Sequence, residues 1–180
     1  MKLLLSATLI LSMAVLPAHA QNTHQEIINS LSESGIETYV NAPPCYENKK
    51  KAQGMYGIIP ALGAVVVVCQ DNRETMGVEV EWTANDYDTL RHEAFHAMQD
   101  CLDGEIDGEL IAFYTTDDKV SFGDLVEAIG MDAASQIWTS YRSIGVGIGQ
   151  SEREIEAFLA ASTLSPEQIA KGIKDSCPVK

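Results

Sequence analysis

Apolar and polar positions along this chain repeat with two different periods, and each period predicts a different element. Residues 23–34 carry apolar side chains at helical spacing and predict a first helix. Residues 36–40 alternate with period two and predict a strand. Residues 62–69 (LGAVVVVC) form a β-branched run, typical of a central strand buried on both faces. Shorter strands are expected within 54–60 and at 78–82.

The second half of the chain predicts helices. A long helix capped by Asn85 or Asp86 runs without proline or glycine to Gly104, where we expect it to end. Residues 110–114 are apolar and fit either a helix or a strand. Further helices are predicted at 121–129, at 132–143, from Ser151 onward, and from a Ser165 cap to about Lys174.

The long helix contains the pattern H-E-x-x-H at residues 92–96 (HEAFH). Residues four apart lie on one face of a helix, so His92 and His96 point the same way and can hold one Zn²⁺. Glu93 lies beside the first ligand and can take a proton from a water whose pKa the metal has lowered. The motif therefore predicts a zinc site with Glu93 as general base.

Two histidines and a water leave tetrahedral zinc one protein ligand short. The metzincin extension requires glycine at 99 and histidine at 102, whereas this chain has Gln99 and Leu102, so that class is excluded. The acidic residues of the helix after Ser151 are the next candidates. They are Glu152, Glu154 and Glu156, with Asp117 in reserve.

A capping box between Ser151 and Glu154 would turn the Glu154 side chain to the helix start. Glu152 would lie in the first turn, where the helix dipole favours a carboxylate without a metal. Glu156 has neither role and is flanked by apolar residues. We therefore expect Glu156 to be the third ligand, with Glu152 as its competitor.

Charge and the N-terminus limit the partners and the compartment. The formal charge is −14, which argues against nucleic acid or an anionic membrane surface as a partner. Residues 1–20 have the basic start, apolar run and A-x-A end of a secretory signal cleaved after Ala20. No later stretch is long enough to cross a bilayer. We expect a secreted or periplasmic protein with one domain at 21–180, of undetermined oligomeric state.

Four cysteines in an exported chain predict two disulfides, and three pairings are open. The order of the segments favours Cys45–Cys69, which would tie a polar connection to the end of the central strand. Cys101–Cys177 would then tie the end of the long helix to the C-terminus.

Residues 90–96 (LRHEAFH) together with 154–160 (EIEAFLA) resemble the gluzincin-like zinc metallopeptidases, small zincins in which a second helix supplies a glutamate ligand. The resemblance covers these two helices. It implies an α+β zincin-like domain, with a small sheet packed on the active-site helix and further C-terminal helices. It also implies His92, His96 and Glu156 as ligands, and a tyrosine that holds the oxyanion, either Tyr141 or Tyr114.

These patterns together predict a zinc peptidase that acts on peptide or protein substrates. One alternative is an exported zincin-fold binding protein without catalytic activity, and another is a structural or inhibitory protein held by its disulfides. The intact Glu93 favours the peptidase, because a protein that only holds a metal needs the ligands alone.

Overall fold

The computed structural model describes residues 18–47, 53–116 and 120–178, which form an α+β fold as the sequence predicts. Most of the expected signal segment, residues 1–17, lies outside the described residues. The reserve ligand Asp117 lies outside them too. The strands are β1 (Glu37–Val40), β2 (Gly54–Ile59) and β3 (Gly63–Val68). The helices are α1 (Ala18–Glu33), α2 (Pro44–Glu47), α3 (Ala84–Asp100), α4 (Phe122–Ile129), α5 (Met131–Ser143), α6 (Ile148–Thr163) and α7 (Pro166–Ser176).

The sheet has the order β1-β3-β2, with β3 parallel to β1 and antiparallel to β2. The prediction of a central strand at β3 is confirmed, because both of its faces are covered. Val66 and Val68 face the main core, while Val65 and Val67 pack in a smaller cluster with Cys45 and Cys69. Strand β2 packs along α3, and this contact brings the sheet to the candidate site.

The predicted strand at 78–82 does not form. The buried side chain of Gln70 bonds to the backbone of Val80 in this segment. Its amide nitrogen donates to the carbonyl of Val80 and its amide oxygen accepts from the amide of Val80, each at 2.8 Å. One side chain therefore satisfies both backbone groups of Val80, which a neighbouring strand would otherwise pair.

Helix α3 begins earlier than predicted. Thr83 is its N-cap, and Asp86 is the third helical residue that completes a capping box, so neither Asn85 nor Asp86 is the cap itself. The helix ends at Asp100, and a 3₁₀ turn continues it to Gly104, whose φ of +88° favours glycine. Thirteen residues of α3 are buried, so it is the central helix of the molecule.

Helices α1, α6 and α7 pack around α3. Cys45 pairs with Cys69, and Cys101 pairs with Cys177, which confirms the predicted pairing. The second disulfide fixes the C-terminal end of α7 to the end of α3. In the described part of the chain, no helix combines the length and the apolar character that a membrane span requires.

Helix α6 departs from the sequence prediction in a way that matters for the site. It begins at Ile148 after an N-cap at Gly147, so its N-cap lies four residues before the predicted cap at Ser151. The hydroxyl of Ser151 donates to the carbonyl of Gly147 at 2.9 Å, a contact within the helix. The predicted capping box with Glu154 is therefore absent, and Glu154 lies in the second turn.

The remaining C-terminal helices follow the predictions closely. Ser121 caps α4, and Ser165 caps α7 through a capping box with Gln168. Helices α4 and α5 pack mainly on α6 and on each other. They bury little: α4 has no buried residue and α5 buries only Ala134. The ambiguous stretch before α4 is irregular and then forms a 3₁₀ turn at Phe113–Thr116.

Candidate metal centre

Three side chains from two buried helices meet at one point. His92 and His96 come from α3 and Glu154 comes from α6. The Nε2 atoms of the two histidines are 3.1 Å apart, and each is 3.2 Å from Oε2 of Glu154. All three residues are buried, with at most 7% of their surface exposed.

This triangle is close to the spacing that a tetrahedral metal ion requires. Zinc holds nitrogen and oxygen ligands at about 2.0–2.2 Å, which separates any two of them by about 3.3 Å. Two imidazole nitrogens and one carboxylate oxygen are also a ligand set that zinc uses in catalytic sites. The residues present therefore fit such an ion.

A chain of hydrogen bonds fixes the orientation of His96. Gln99 Nε2 donates to Oε2 of Glu156 at 2.7 Å and to the carbonyl of Arg153 at 3.3 Å. Because both of these groups only accept, the amide oxygen of Gln99 must face Nδ1 of His96, which it meets at 2.7 Å. In its neutral form His96 then carries its proton on Nδ1, and its Nε2 lone pair points to the centre of the triangle.

The structure does not bring the predicted ligand Glu156 to the histidines. Its carboxylate accepts from Gln99 and from the backbone amides of Phe113 and Tyr114, at 3.0 and 2.9 Å. Residues two apart on a helix point in directions about 200° apart, so Glu154 and Glu156 cannot both face the histidines. Glu154 reaches them because the earlier start of α6 frees it from capping.

The competing candidate Glu152 lies one turn before Glu156 on the same side of α6. Its carboxylate accepts from the hydroxyl of Tyr114 at 2.8 Å. Tyr114, the second of the two tyrosines considered for the oxyanion, is therefore engaged away from the histidines. Together Glu152 and Glu156 hold the segment before α4 against α6.

The carboxylate of Glu93 lies beside the triangle and lines a cavity of about 770 Å³. Burial raises the pKa of Glu93, and the neighbouring His92 and His96 oppose that rise. Strand β2 and helices α3, α5 and α6 form the walls of the cavity. Its lining includes Gly54, Asn85, Asp88, Thr89, His92, Tyr141, Ile144 and Phe158.

Tyr141, on α5, also lines this cavity. Burial, followed by the charge of Glu154 and a hydrogen bond to it, raises the pKa of its hydroxyl, and the charge of Glu93 adds to the effect. The hydroxyl therefore stays protonated and able to donate. Phe158 lines the cavity as well, with its ring 4.4 Å from that of His92.

Opposing effects act on the pKa values of His96 and Glu154. Burial alone would lower the pKa of His96, but the hydrogen bond and charge of Glu154 raise it to about 9. Burial raises the pKa of Glu154, but the two histidines hold it well below its usual range. Each of the two groups therefore favours the charged form of the other.

Comparison of the chain with protein-family models, curated proteins and solved structures found no match to any of them. The function of the site therefore has to be argued from its geometry.

The sequence interpretation missed two residues of this site. At the sequence level, Gln99 serves only to exclude the metzincins, which have glycine at this position. Gln99 nevertheless lies three residues after His96, on the same helix face. Glu154 was assigned to a capping box because Ser151 precedes it at the right distance. The helical spacing from His96 was the available signal for Gln99.

Proposed function

We propose that this chain is an exported zinc-dependent peptidase with a zincin-like arrangement of its active-site helix and sheet. The observation that carries the proposal is the meeting of His92, His96 and Glu154 beside the carboxylate of Glu93, at the wall of a cavity large enough for several residues of a peptide. The two disulfides fit an extracellular protein. The peptide substrate follows from the resemblance of the two helices to gluzincin-like enzymes.

Each residue has a role in this proposal. His92, His96 and Glu154 would hold the ion, and Gln99 and Glu156 orient His96. Bound zinc would act as a Lewis acid and would lower the pKa of a water molecule that it binds.

Glu93 accepts the proton of the attacking water on its carboxylate and passes it to the leaving nitrogen. The raised pKa of this buried carboxyl suits both steps, since a base that becomes an acid works best with a pKa near the working pH. Tyr141 donates its hydroxyl proton in a hydrogen bond to the oxygen on which negative charge develops. Phe158 and the walls of the cavity exclude bulk water from the reacting groups.

The test combines metal analysis with cleavage of a mixed peptide library. We expect about one zinc ion per chain, and cleavage that a chelator abolishes and added zinc restores. Glu93→Gln should keep the metal and lose activity by about 10²–10⁴-fold, because the base is removed while the ligands stay. Equal cleavage by parent and Glu93→Gln would refute the mechanism. Bound zinc without any cleavage would support the exported binding protein instead.

A further inference from the structure

Gly54, the first residue of β2, lies against the side chain of Glu93. A β-carbon at this position would be 2.8 Å from both Cγ and Oε1 of Glu93, and 2.6 Å from Cγ2 of Thr89. Non-bonded carbon atoms approach to about 3.5 Å at their optimum, so none of these contacts can exist without movement. The backbone of Gly54 is not in the left-handed region. Glycine is therefore needed here because it has no side chain, and not because of its φ angle.

The surroundings decide which group would yield to a side chain here. Gly54 is paired with Val68 of the central strand, and the amide of the neighbouring Cys69 donates to the carbonyl of Gln53 at 2.7 Å. Thr89 is buried, and its hydroxyl donates to the carbonyl of Asn85 at 2.9 Å. Of Gly54, Thr89 and Glu93, Glu93 has the longest and most flexible side chain, so we expect its carboxylate to move.

We propose that Gly54 is a positioning residue, whose lack of a side chain lets the Glu93 carboxylate lie beside the three metal ligands. This inference rests on the proposed function of Glu93 as general base. A methyl group at position 54 occupies the space of the carboxylate and turns it away from the attacking water. None of the three nearest atoms to that methyl group belongs to His92, His96 or Glu154, so we expect these ligands to keep their positions.

The same strand supplies a matched control. A β-carbon on Gly57 would meet only Cε of Met55, at an ordinary 3.7 Å. Gly57→Ala therefore makes the same chemical change on the same strand without touching Glu93. We expect Gly54→Ala to lower kcat by about 10–100-fold, the effect of misplacing a catalytic group by about 1 Å, with zinc content and KM close to those of the parent. Gly57→Ala should keep the kcat of the parent.

A third variant distinguishes a loss of kcat that is caused through Glu93 from one that is caused through Thr89. In Gly54→Ala/Thr89→Ser the γ-carbon of residue 89 is gone, so the remaining close contacts of the new methyl group are those with Glu93. We expect kcat to stay as low as in Gly54→Ala alone. Recovery of kcat to the parent value would show that Thr89 transmits the effect and would overturn the inference.

A double-mutant cycle tests the contact without measuring activity. Glu93→Ala removes Cγ and Oε1, so Gly54→Ala should lower the melting temperature less in that background than in the parent. An equal loss in both backgrounds, including failure of both to fold, overturns the inference. If the parent binds zinc but cleaves no peptide, the proposed function fails while the cycle still decides whether Gly54 makes room for Glu93.

Discussion

At the scale of single residues, the three acids of α6 divide the work around the site. Glu154 faces the histidines, while Glu152 and Glu156 hold the segment before α4. The spacing of His92, Glu93 and His96 on one helix predicts that they form one group, and the structure places the Nε2 atoms of the two histidines 3.1 Å apart. The sequence does not determine the third acid, because that depends on whether Gly147 or Ser151 caps α6. Both are acceptable N-caps, and a shift of four residues changes the role of every acid that follows.

The first prediction compares Glu154→Gln with Glu156→Gln. Loss of the Glu154 carboxylate should weaken zinc binding by more than about 100-fold, beyond the range of an outer-shell change. Glu156→Gln should weaken zinc binding by about 10–100-fold through Gln99. It should also destabilise the fold by about 1–3 kcal/mol, because a neutral amide cannot accept from all three donors that Glu156 serves.

Competition with a chromophoric chelator and urea unfolding measure the two quantities of this comparison. Glu152→Gln is the matched control on the same face of α6, with zinc affinity close to that of the parent. Unchanged zinc affinity in Glu154→Gln with loss in Glu156→Gln would return the ligand role to Glu156.

The second prediction concerns the hydroxyl of Tyr141. Tyr141→Phe keeps the ring and its packing but removes the donor, so kcat should fall by about 10²–10³-fold while zinc content stays at that of the parent. Tyr114→Phe serves as the control, because its hydroxyl is bonded to Glu152. Steady-state kinetics with a fluorogenic peptide measure both variants. A larger loss of kcat in Tyr114→Phe than in Tyr141→Phe would reverse the assignment.

At the scale of elements, α3 and α6 are held together on both sides of the site. Arg91 Nε donates to the carbonyl of Ala161 at 2.8 Å, and Gln99 Nε2 donates to the carbonyl of Arg153 at 3.3 Å. Arg91 and Gln99 each lie within three residues of a histidine of the triangle, so the distance between the helices is fixed where the ligands meet.

The strands and the disulfide pairing were predictable because they depend on composition and segment order. The β-branched run of β3 requires cover on both faces, and the sheet supplies it. Residues 78–82 alternate as a strand does, but the backbone of Val80 pairs with the side chain of Gln70 and not with another strand. A pairing between a side chain and a distant backbone leaves no periodic signal in the sequence.

The third prediction compares the two disulfides. They close loops of different length, with sequence separations of 24 for Cys45–Cys69 and 76 for Cys101–Cys177. Chain entropy predicts that removing them costs about 3.5 and about 4.5 kcal/mol of unfolding free energy. Paired Cys→Ala variants measured by urea unfolding test this order. A greater loss for the shorter loop would show that local packing outweighs chain entropy.

At the scale of the whole molecule, protonation of the buried centre would link the proposed zinc binding to pH. The raised pKa of His96, about 9, predicts that both of its ring nitrogens are protonated at neutral pH when no metal is bound. The proton must leave before Nε2 can bind a metal. The Glu154 carboxyl does not compete for a proton in this range, since its pKa lies below its usual value.

The fourth prediction follows from that proton. Apparent zinc affinity should rise by about tenfold per pH unit from pH 6 and level off near pH 9, where His96 is neutral without metal. Isothermal titration calorimetry in buffers of different ionisation enthalpy measures both the slope and the released proton. In metal-free Glu154→Gln the titration of His96, followed by NMR, should move to lower pH. A flat affinity between pH 6 and 8 would contradict the prediction.

The packing of α4 and α5 determines where this protein can accept amino-acid substitutions. Helix α5 forms one wall of the cavity, yet it and α4 pack mainly on α6 and bury almost none of their residues. The three ligand atoms lie on buried stretches of α3 and α6. Substitutions on α5 can therefore alter the shape and charge of the cavity at little cost to the core. In the proposed peptidase, selectivity and reactivity can then change separately, by natural drift or by directed evolution.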